Sequence, residues 1–305
     1  MTDIVGKRFW FFLASGIIIL FCIISLANFG LKPGIELSSG SMLTVNFEQT
    51  VTEADLKQEL TSLGYAGAIV QRTGEGNFLI RTGELTGEAK TALEDALRAK
   101  FGPITESEFY SVSPMIAYET ARNAGIAIAV AAVGILLYVT WAFRKMPNPF
   151  RYGTCAIIAL GHDALVPLGI FSILGHMLGW EINLMFITGI LAVAGYSVND
   201  TVVVFDRIRE NLTRGISTNF ETVVNISLVE TLSRSLNTSL TTLFVVLALL
   251  LFVGTSIQNF AVVLLVGIVA GTFSSICIAP NLLIVWEKGE WGRLFRRRPL
   301  PAKNQ

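Results

Sequence analysis

The sequence predicts a multi-pass α-helical membrane protein, with six transmembrane helices and one α+β, ferredoxin-like external domain. Three observations carry that reading. Six mostly apolar runs, at roughly 9–29, 123–143, 152–178, 182–205, 236–253 and 259–286, reach or approach the ~20 residues a span requires. A single polar insertion, 30–122, separates the first two. Charge is scarce: 15% of residues are charged and 52% hydrophobic, where a soluble domain carries about 25% charge.

Span one follows Lys7 and Arg8. The competing reading is a signal peptide, since Ser25-Leu26-Ala27 is weakly cleavage-like. Its apolar core of about 21 residues exceeds the 7–15 of a signal h-region, which favours a retained helix. Positive charge then orients the chain. Lys7 and Arg8 precede span one, Arg144, Lys145 and Arg151 lie between spans two and three, and Arg207, Arg209 and Arg214 follow span four. Lys288, Arg293 and Arg296 to Arg298 follow span six, whereas 175–181 and 254–258 hold no Lys or Arg. Both termini are therefore expected on the inner, cytoplasmic side of the membrane. Trp10, Trp141, Trp180 and Trp286 stand near span ends as interfacial anchors.

The insertion holds 13 acidic and eight basic residues. Residues 42–47 alternate as a strand. A helix over 52–63 opens on Thr52, with Asp55 three residues on as a capping-box variant. Strands at 68–72 and 77–82 flank the short turn Thr73-Gly74-Glu75-Gly76. A second helix over 86–101 is apolar at Ala89, Leu93, Ala96 and Leu97, and a last strand covers 106–112. The order β-α-β-β-α-β is that of a ferredoxin-like unit. The expected division is 1–29 (cytoplasmic end and first span), 30–122 (external domain), 123–286 (five-span membrane domain) and 287–305 (basic tail).

Several chemistries are excluded by composition. The 23 Lys+Arg balance 23 Asp+Glu, so no basic surface for nucleic acid is implied. Cys22, Cys155 and Cys277 sit inside apolar runs without CxxC spacing, which supports neither a disulfide framework nor a zinc site. No GxxxxGK[ST] loop occurs, and the external domain contains neither His nor Cys. The reading is of a non-enzyme whose driving force is not its own nucleotide hydrolysis.

Ionisable groups inside spans cost about 2.5–3.5 kcal/mol each at mid-bilayer, so they default to functional hypotheses. His162 and Asp163 lie about 12 residues past Arg151, some 18 Å deep at ~1.5 Å per residue. Span four ends Gly195-Tyr196-Ser197-Val198-Asn199-Asp200-Thr201, with Asp206 and Arg207 beyond; Asp200 is about 9 Å up the axis from that boundary. Arg234 precedes span five, followed by Asn237, Thr238 and Ser239, at a depth comparable with Asp200. Asp200 is either a titrating site or the static partner of Arg234, and His162 either titrates or bonds a neighbouring helix. Asn199, Thr201 and Asn237 are expected to organise water beside Asp200. Rows of small residues, Gly267, Gly271, Ser275 and Ala279 in span six and Ala121, Gly125 and Ala129 in span two, offer close-packing faces.

These residues carry a resemblance. The run from Gly195 through Asp206-Arg207-Ile208-Arg209-Glu210-Asn211, the pair His162-Asp163, and Arg234-Ser235-Leu236-Asn237-Thr238-Ser239 before span five are similar to those of the SecD/SecF family of bacterial protein-export subunits. That family belongs to the resistance-nodulation-division superfamily. One departure stands out: the family opens its external domain with Gly-hydrophobic-Asp-Phe-x-Gly-Gly, whereas Gly34-Ile35-Glu36-Leu37-Ser38-Ser39-Gly40 stands here. The resemblance implies an accessory of the SecYEG translocon that pairs with a SecD subunit, with YajC as a further partner, and helps draw preproteins across the membrane. It implies no cofactor; the energy source is the ion gradient, protons usually and sodium in some relatives. It assigns ion coupling to Asp200, Arg234 and Asp163, with His162, Asn199, Thr201, Asp206, Arg207 and Asn237 in support. Six spans with one polar cluster make half of a pseudo-symmetric whole, so a heteromeric subunit is expected. The external domain is expected to hold unfolded polypeptide without catalysis. Rival readings are half of a small-molecule exporter of the same superfamily, which lacks its second large external loop here, and a passive translocon scaffold. An intramembrane aspartyl protease lacks a Gly-x-Gly-Asp context at Asp200.

Overall fold

The computed structural model describes residues 3–72, 76–252 and 257–290. A 3-10 turn at Val5–Lys7 leads into α1 (Arg8–Phe29), and one helical turn, α2 (Ile35–Ser38), precedes the α+β domain. That domain runs β1 (Gly40–Phe47), α3 (Glu53–Ser62), β2 (Ile69–Arg72), β3 (Phe78–Thr82), α4 (Gly87–Phe101) and β4 (Ile104–Val112). The remaining helices are α5 (Pro114–Ala142), α6 (Pro149–Leu178), α7 (Leu184–Arg214), α8 (Phe220–Phe252), α9 (Gln258–Cys277) and α10 (Ala279–Glu287).

The ferredoxin-like reading holds. The sheet order is β2-β3-β1-β4 with every neighbouring pair antiparallel, the split β-α-β arrangement in which β3 threads between β1 and β2. Thr52 caps α3 by accepting from the Asp55 amide at 3.2 Å and donates to the Asp55 carboxylate at 2.6 Å. Thr86 caps α4 in the same way through the Ala89 amide. Such caps satisfy amides that the helix itself leaves open, at about 1 kcal/mol each. The faces they orient bury Leu56, Leu60, Leu93 and Leu97 against Leu43, Val45 and Ile80 of the sheet. Each fully buried aliphatic side chain stabilises a water-facing domain by about 1.5–3 kcal/mol.

Among the described residues, six helical segments are long and apolar enough to cross a membrane. The bundle is held by close approach of backbones, since lipid offers no hydrophobic drive for helix pairing. A side chain on Gly267 would meet Val193 Cγ2 at 2.2 Å, and one on Gly271 would meet Ser197 Cβ at 3.0 Å. The span-six row of small residues is therefore spent inside the chain, where α9 crosses α7. The row Ala121, Gly125 and Ala129 on α5 is exposed. Helix α1 packs on α6, where Gly169 leaves room for Cys22 and Ser172 donates to the Ser25 carbonyl at 3.0 Å. That contact makes α1 an integral helix of the bundle.

Two features refine the reading. Span six is two helices, α9 and α10, with the break at Ile278 just before Pro280, because proline supplies no amide to continue the helix. Trp180 packs edge-on against Phe171 at 5.7 Å, so it is a core contact as much as an anchor. The expected turn at 73–75, most of the loop at 254–258 and the tail from 291 onward fall outside the described residues.

The α+β domain also touches the α6–α7 turn, a contact the sequence did not announce. Pro33 forms a parallel bridge with Ile182, with Gly34 N–H to the Ile182 carbonyl and Ile182 N–H to the Lys32 carbonyl, both 2.8 Å. Arg81 on β3 pairs with Glu181 and donates to the Pro33 carbonyl and Ser38 Oγ at 2.9 Å each. Gln71 on β2 donates to the Gly179 carbonyl at 3.2 Å.

The Gly34–Gly40 segment that departs from the family pattern lies at this junction. Glu36 accepts from the Leu184 amide at 2.6 Å and so caps α7, a favourable place for a carboxylate at a helix N-terminus. Gly40 has φ +129°, and a Cβ there would meet the Thr82 carbonyl at 2.7 Å, so this position requires glycine. Ser39 has φ +67°, a conformation that strains a residue with a Cβ by roughly 1 kcal/mol. Ser39→Gly should therefore raise the thermal stability of the detergent-solubilised chain by about 0.5–1 kcal/mol. A melting temperature that falls would show that the Ser39 side chain contributes more than its backbone costs.

Candidate functional site

The candidate site is a layer of polar side chains inside α6, α7, α8 and α9, and helical periodicity on α7 explains its shape. At about 100° per residue, Thr201 lies ~40° to one side of Ser197 and Asp200 ~60° to the other. Ser197 faces α6, Thr201 faces α9 and Asp200 faces α8.

Asp163 on α6 is the hub. It is fully buried. Its Oδ2 accepts from Ser197 and, at 2.6 Å, from Ser274 on α9. Its Oδ1 is 2.9 Å from His162 Nδ1. His162 thus bonds its own chain neighbour and not another helix, while its Nε2 is buried with no hydrogen-bond partner. Ser275 donates to the Ser197 carbonyl at 3.2 Å and shares a 2.9 Å hydrogen bond with Thr201. This α6–α7–α9 cluster satisfies both carboxylate oxygens of Asp163, as buried polar groups demand.

Asp200 is less complete. Only 8% of its surface is exposed. Oδ1 accepts from Ser235 of α8 at 2.6 Å, while Oδ2 is buried with no hydrogen-bond partner among the described residues. The expected pairing with Arg234 is not formed: Arg234 is exposed, one position along α8 from Ser235, and among the described residues it makes no ion pair. One residue is ~100° of helix, which turns Arg234 away from the face that Ser235 presents.

The same geometry corrects two other assignments. Asn199 and Asn237 are both exposed, each two residues and so ~200° from the residue that faces the layer, Ser197 or Ser235. Neither sits with Thr201 in the interior. Asp206 and Arg207 lie below the layer in an ion-pair network. Asp206 pairs with Arg209 at 2.5 Å, and Arg207 pairs with Glu210 at 2.5 Å and with Glu230 of α8 at 2.6 Å. Arg207 and Glu230, with Asn211 donating to Glu230 at 2.8 Å, fasten α7 to α8.

Sequence reasoning missed the roles of the hydroxyls that hold the carboxylates, Ser197, Ser235 and Ser274, and of Ser275, which ties α9 to Ser197 and Thr201 of α7. A signal was present, since Ser197 and Thr201 are one helical turn apart and Ser275 belongs to a small-residue row. It also did not assign the contacts of Glu36, Arg81 and Glu181: Glu36 meets the Leu184 amide 148 residues away, and Arg81 meets Glu181 100 residues away.

Comparison with known proteins gives consistent matches. Residues 92–289 match the family described as protein export membrane protein SecD/SecF, C-terminal, and residues 24–51 match the SecD/SecF GG motif. The chain is 45% identical to the protein translocase subunit SecF of Thermobaculum terrenum, covering 97% of this chain and 98% of that one. It is 41% identical to the same-named protein of Anaerolinea thermophila, with 99% of each covered. The crystal structure of SecDF, a translocon-associated membrane protein from Thermus thermophilus, superposes with a TM-score of 0.82 at 31% identity over 94% of this chain. This chain spans 39% of that longer polypeptide.

Proposed function

The chain belongs to the SecD/SecF family of protein-export membrane proteins, and from that premise we propose that it is an ion-gradient-driven accessory subunit of the Sec translocon. It pairs with SecD, works beside SecYEG and YajC, and promotes passage of preproteins across the bacterial inner membrane. Both termini lie in the cytoplasm and the α+β domain lies outside, where it holds emerging polypeptide. The coupling ion is the proton.

The observation that carries this reading is the contrast between two buried carboxyl groups in one bundle. Asp163 has every oxygen occupied, whereas Asp200 Oδ2 has no hydrogen-bond partner. A buried ionised oxygen without a partner is costly, so that site favours a proton or the approach of a cation. Arg234, one residue from the serine that holds Oδ1, is the cation in position to approach. A rotation of α8 by ~100° would exchange Ser235 for Arg234. Moving one charge through 100 mV supplies ~2.3 kcal/mol, which biases a two-state packing by nearly fiftyfold.

Transmission to the external domain runs through α7. The helix that carries Asp200 at its middle is capped at its N-terminus by Glu36, and the Arg81–Glu181 pair fastens β3 to the preceding turn. A shift of α7 therefore reaches the α+β domain directly, in addition to the route through α1 and α5. The exposed Asn199, Arg234 and Asn237 lie on the outer surface of α7 and α8. Polar groups facing lipid are disfavoured, so this surface is assigned to the SecD half.

The test uses vesicles holding this chain, SecD and the translocon, loaded with a preprotein already inserted by ATP. Release should proceed while a membrane potential is imposed and stop when a proton ionophore is added. Release that is indifferent to the ionophore would reduce the subunit to a scaffold.

A further inference from the structure

A cavity of about 390 Å³ lies at the end of the bundle opposite the α+β domain, lined by Ala142, Arg144, Lys145, Met146, Arg209 and Thr213. It forms where α5 ends, the α5–α6 loop turns and the last turns of α7 pass. Three of its six lining residues are cations and none is a carboxylate. Asp206, which pairs with Arg209 at 2.5 Å, offsets one of the three charges. Among the described residues, Arg144 and Lys145 make no ion pair.

Both arginines are braced before any ligand arrives. The Arg144 guanidinium lies 4.4 Å from the centre of the Trp141 ring and donates to the Trp141 carbonyl at 3.3 Å. Arg209 lies 5.7 Å from the centre of the Phe143 ring, with Asp206 at its other side. A flexible cation that is already held loses less freedom when it meets an anion. The cavity also sits at a membrane boundary. Val133, Leu137, Tyr138 and Trp141 form an exposed apolar strip of α5 that ends beside it, and an exposed tryptophan at a helix end marks the headgroup level.

We propose that this cavity binds the phosphate of an anionic phospholipid headgroup, with the lipid's acyl chains lying along the exposed strip of α5. Cation-lined pockets between transmembrane helices at headgroup depth suit this ligand. The residual positive charge favours a lipid with net negative charge over phosphatidylcholine, whose own cation would enter the same pocket. The acyl strip distinguishes the lipid from free phosphate, which would gain nothing from Leu137 or Tyr138. The site shares no residue with the Asp163 and Asp200 layer, so its test reads binding and not export.

The experiment is native mass spectrometry of the full chain in detergent, titrated with phosphatidylglycerol, with phosphatidylcholine and with inorganic phosphate. Phosphatidylglycerol should be retained about tenfold more tightly than phosphatidylcholine, and millimolar inorganic phosphate should not displace it. Lys145→Gln, an exposed and unpaired position that cannot unfold the bundle, should weaken retention about fivefold, and Arg144→Gln/Lys145→Gln should weaken it further. Arg214→Gln, at the same end but outside the cavity, should leave it unchanged. Equal retention of the two lipids, or no loss in the double variant, would overturn the proposal. Displacement by inorganic phosphate would assign the cavity to a soluble anion and overturn it as well.

Discussion

Asp200→Asn should assemble with SecD at wild-type levels and lose gradient-driven preprotein release. The amide preserves the shape of the side chain, and its oxygen can still accept from Ser235, which holds Asp200 Oδ1 at 2.6 Å. What it removes is the ability to change charge at the buried Oδ2. A residue that merely joins α7 to α8 should tolerate the change, because one interhelical hydrogen bond in a membrane is worth about 0.6 kcal/mol on average. A coupling residue should not, since without titration the ~2.3 kcal/mol per charge per 100 mV has nothing to act on. Arg234→Met should show the same separation with a milder defect in assembly, because Arg234 also lies on the exposed surface assigned to the partner. The measurement is release of a trapped preprotein by vesicles under an imposed potential. Wild-type release from the Asp200→Asn vesicles would make the residue helix glue.

Gly267→Leu should be the most damaging single change to the bundle. A Cβ at this position would already stand 2.2 Å from Val193 Cγ2, and Val193 is a short, stiff side chain with nowhere to retreat. Overpacking a filled interior costs about 1–3 kcal/mol for modest additions, and four added carbons should exceed that. Because α7 and α9 must part to admit them, the hydrogen bonds of Ser275 with Thr201 and with the Ser197 carbonyl, 2.9 and 3.2 Å long, should break as well. Gly125→Leu is the matched control: it lies on α5 with nothing within 4 Å of its Cβ and should change stability by less than about 0.5 kcal/mol. Thermal unfolding in detergent compares the two. Equal melting temperatures would refute close packing of α9 on α7.

Much of the architecture is legible in the sequence because its causes are local. Runs of apolar residues make spans whatever their neighbours, and the Thr52 and Thr86 caps act across three residues. Period-two alternation in 42–47 is enough to define β1. Even the ferredoxin-like order follows from counting elements. The carboxyl groups were legible too, since any charge within a span asks for an explanation.

What each of those groups touches was not legible. Sequence reasoning gave Asp200 to Arg234, yet helical phase decided otherwise: about 100° of rotation sets Ser235 inward and Arg234 outward. The same phase put Asn199 and Asn237 on the surface, and Asp163 has a fuller set of partners than Asp200. Small residues in span six promised a close contact without naming its partner, and only the crossing of α7 and α9 at Gly267 supplied it. The junction of Glu36 with Leu184 and of Arg81 with Glu181 joins segments 148 and 100 residues apart. No local pattern encodes such a contact. Composition, periodicity and caps determined the elements of this protein and the presence of charge among its spans, because these depend on residues within a few turns of one another. Tertiary structure alone decided which hydroxyl meets which carboxylate and how α7 meets the α+β domain, because those partners are chosen by the rotation and crossing of whole helices.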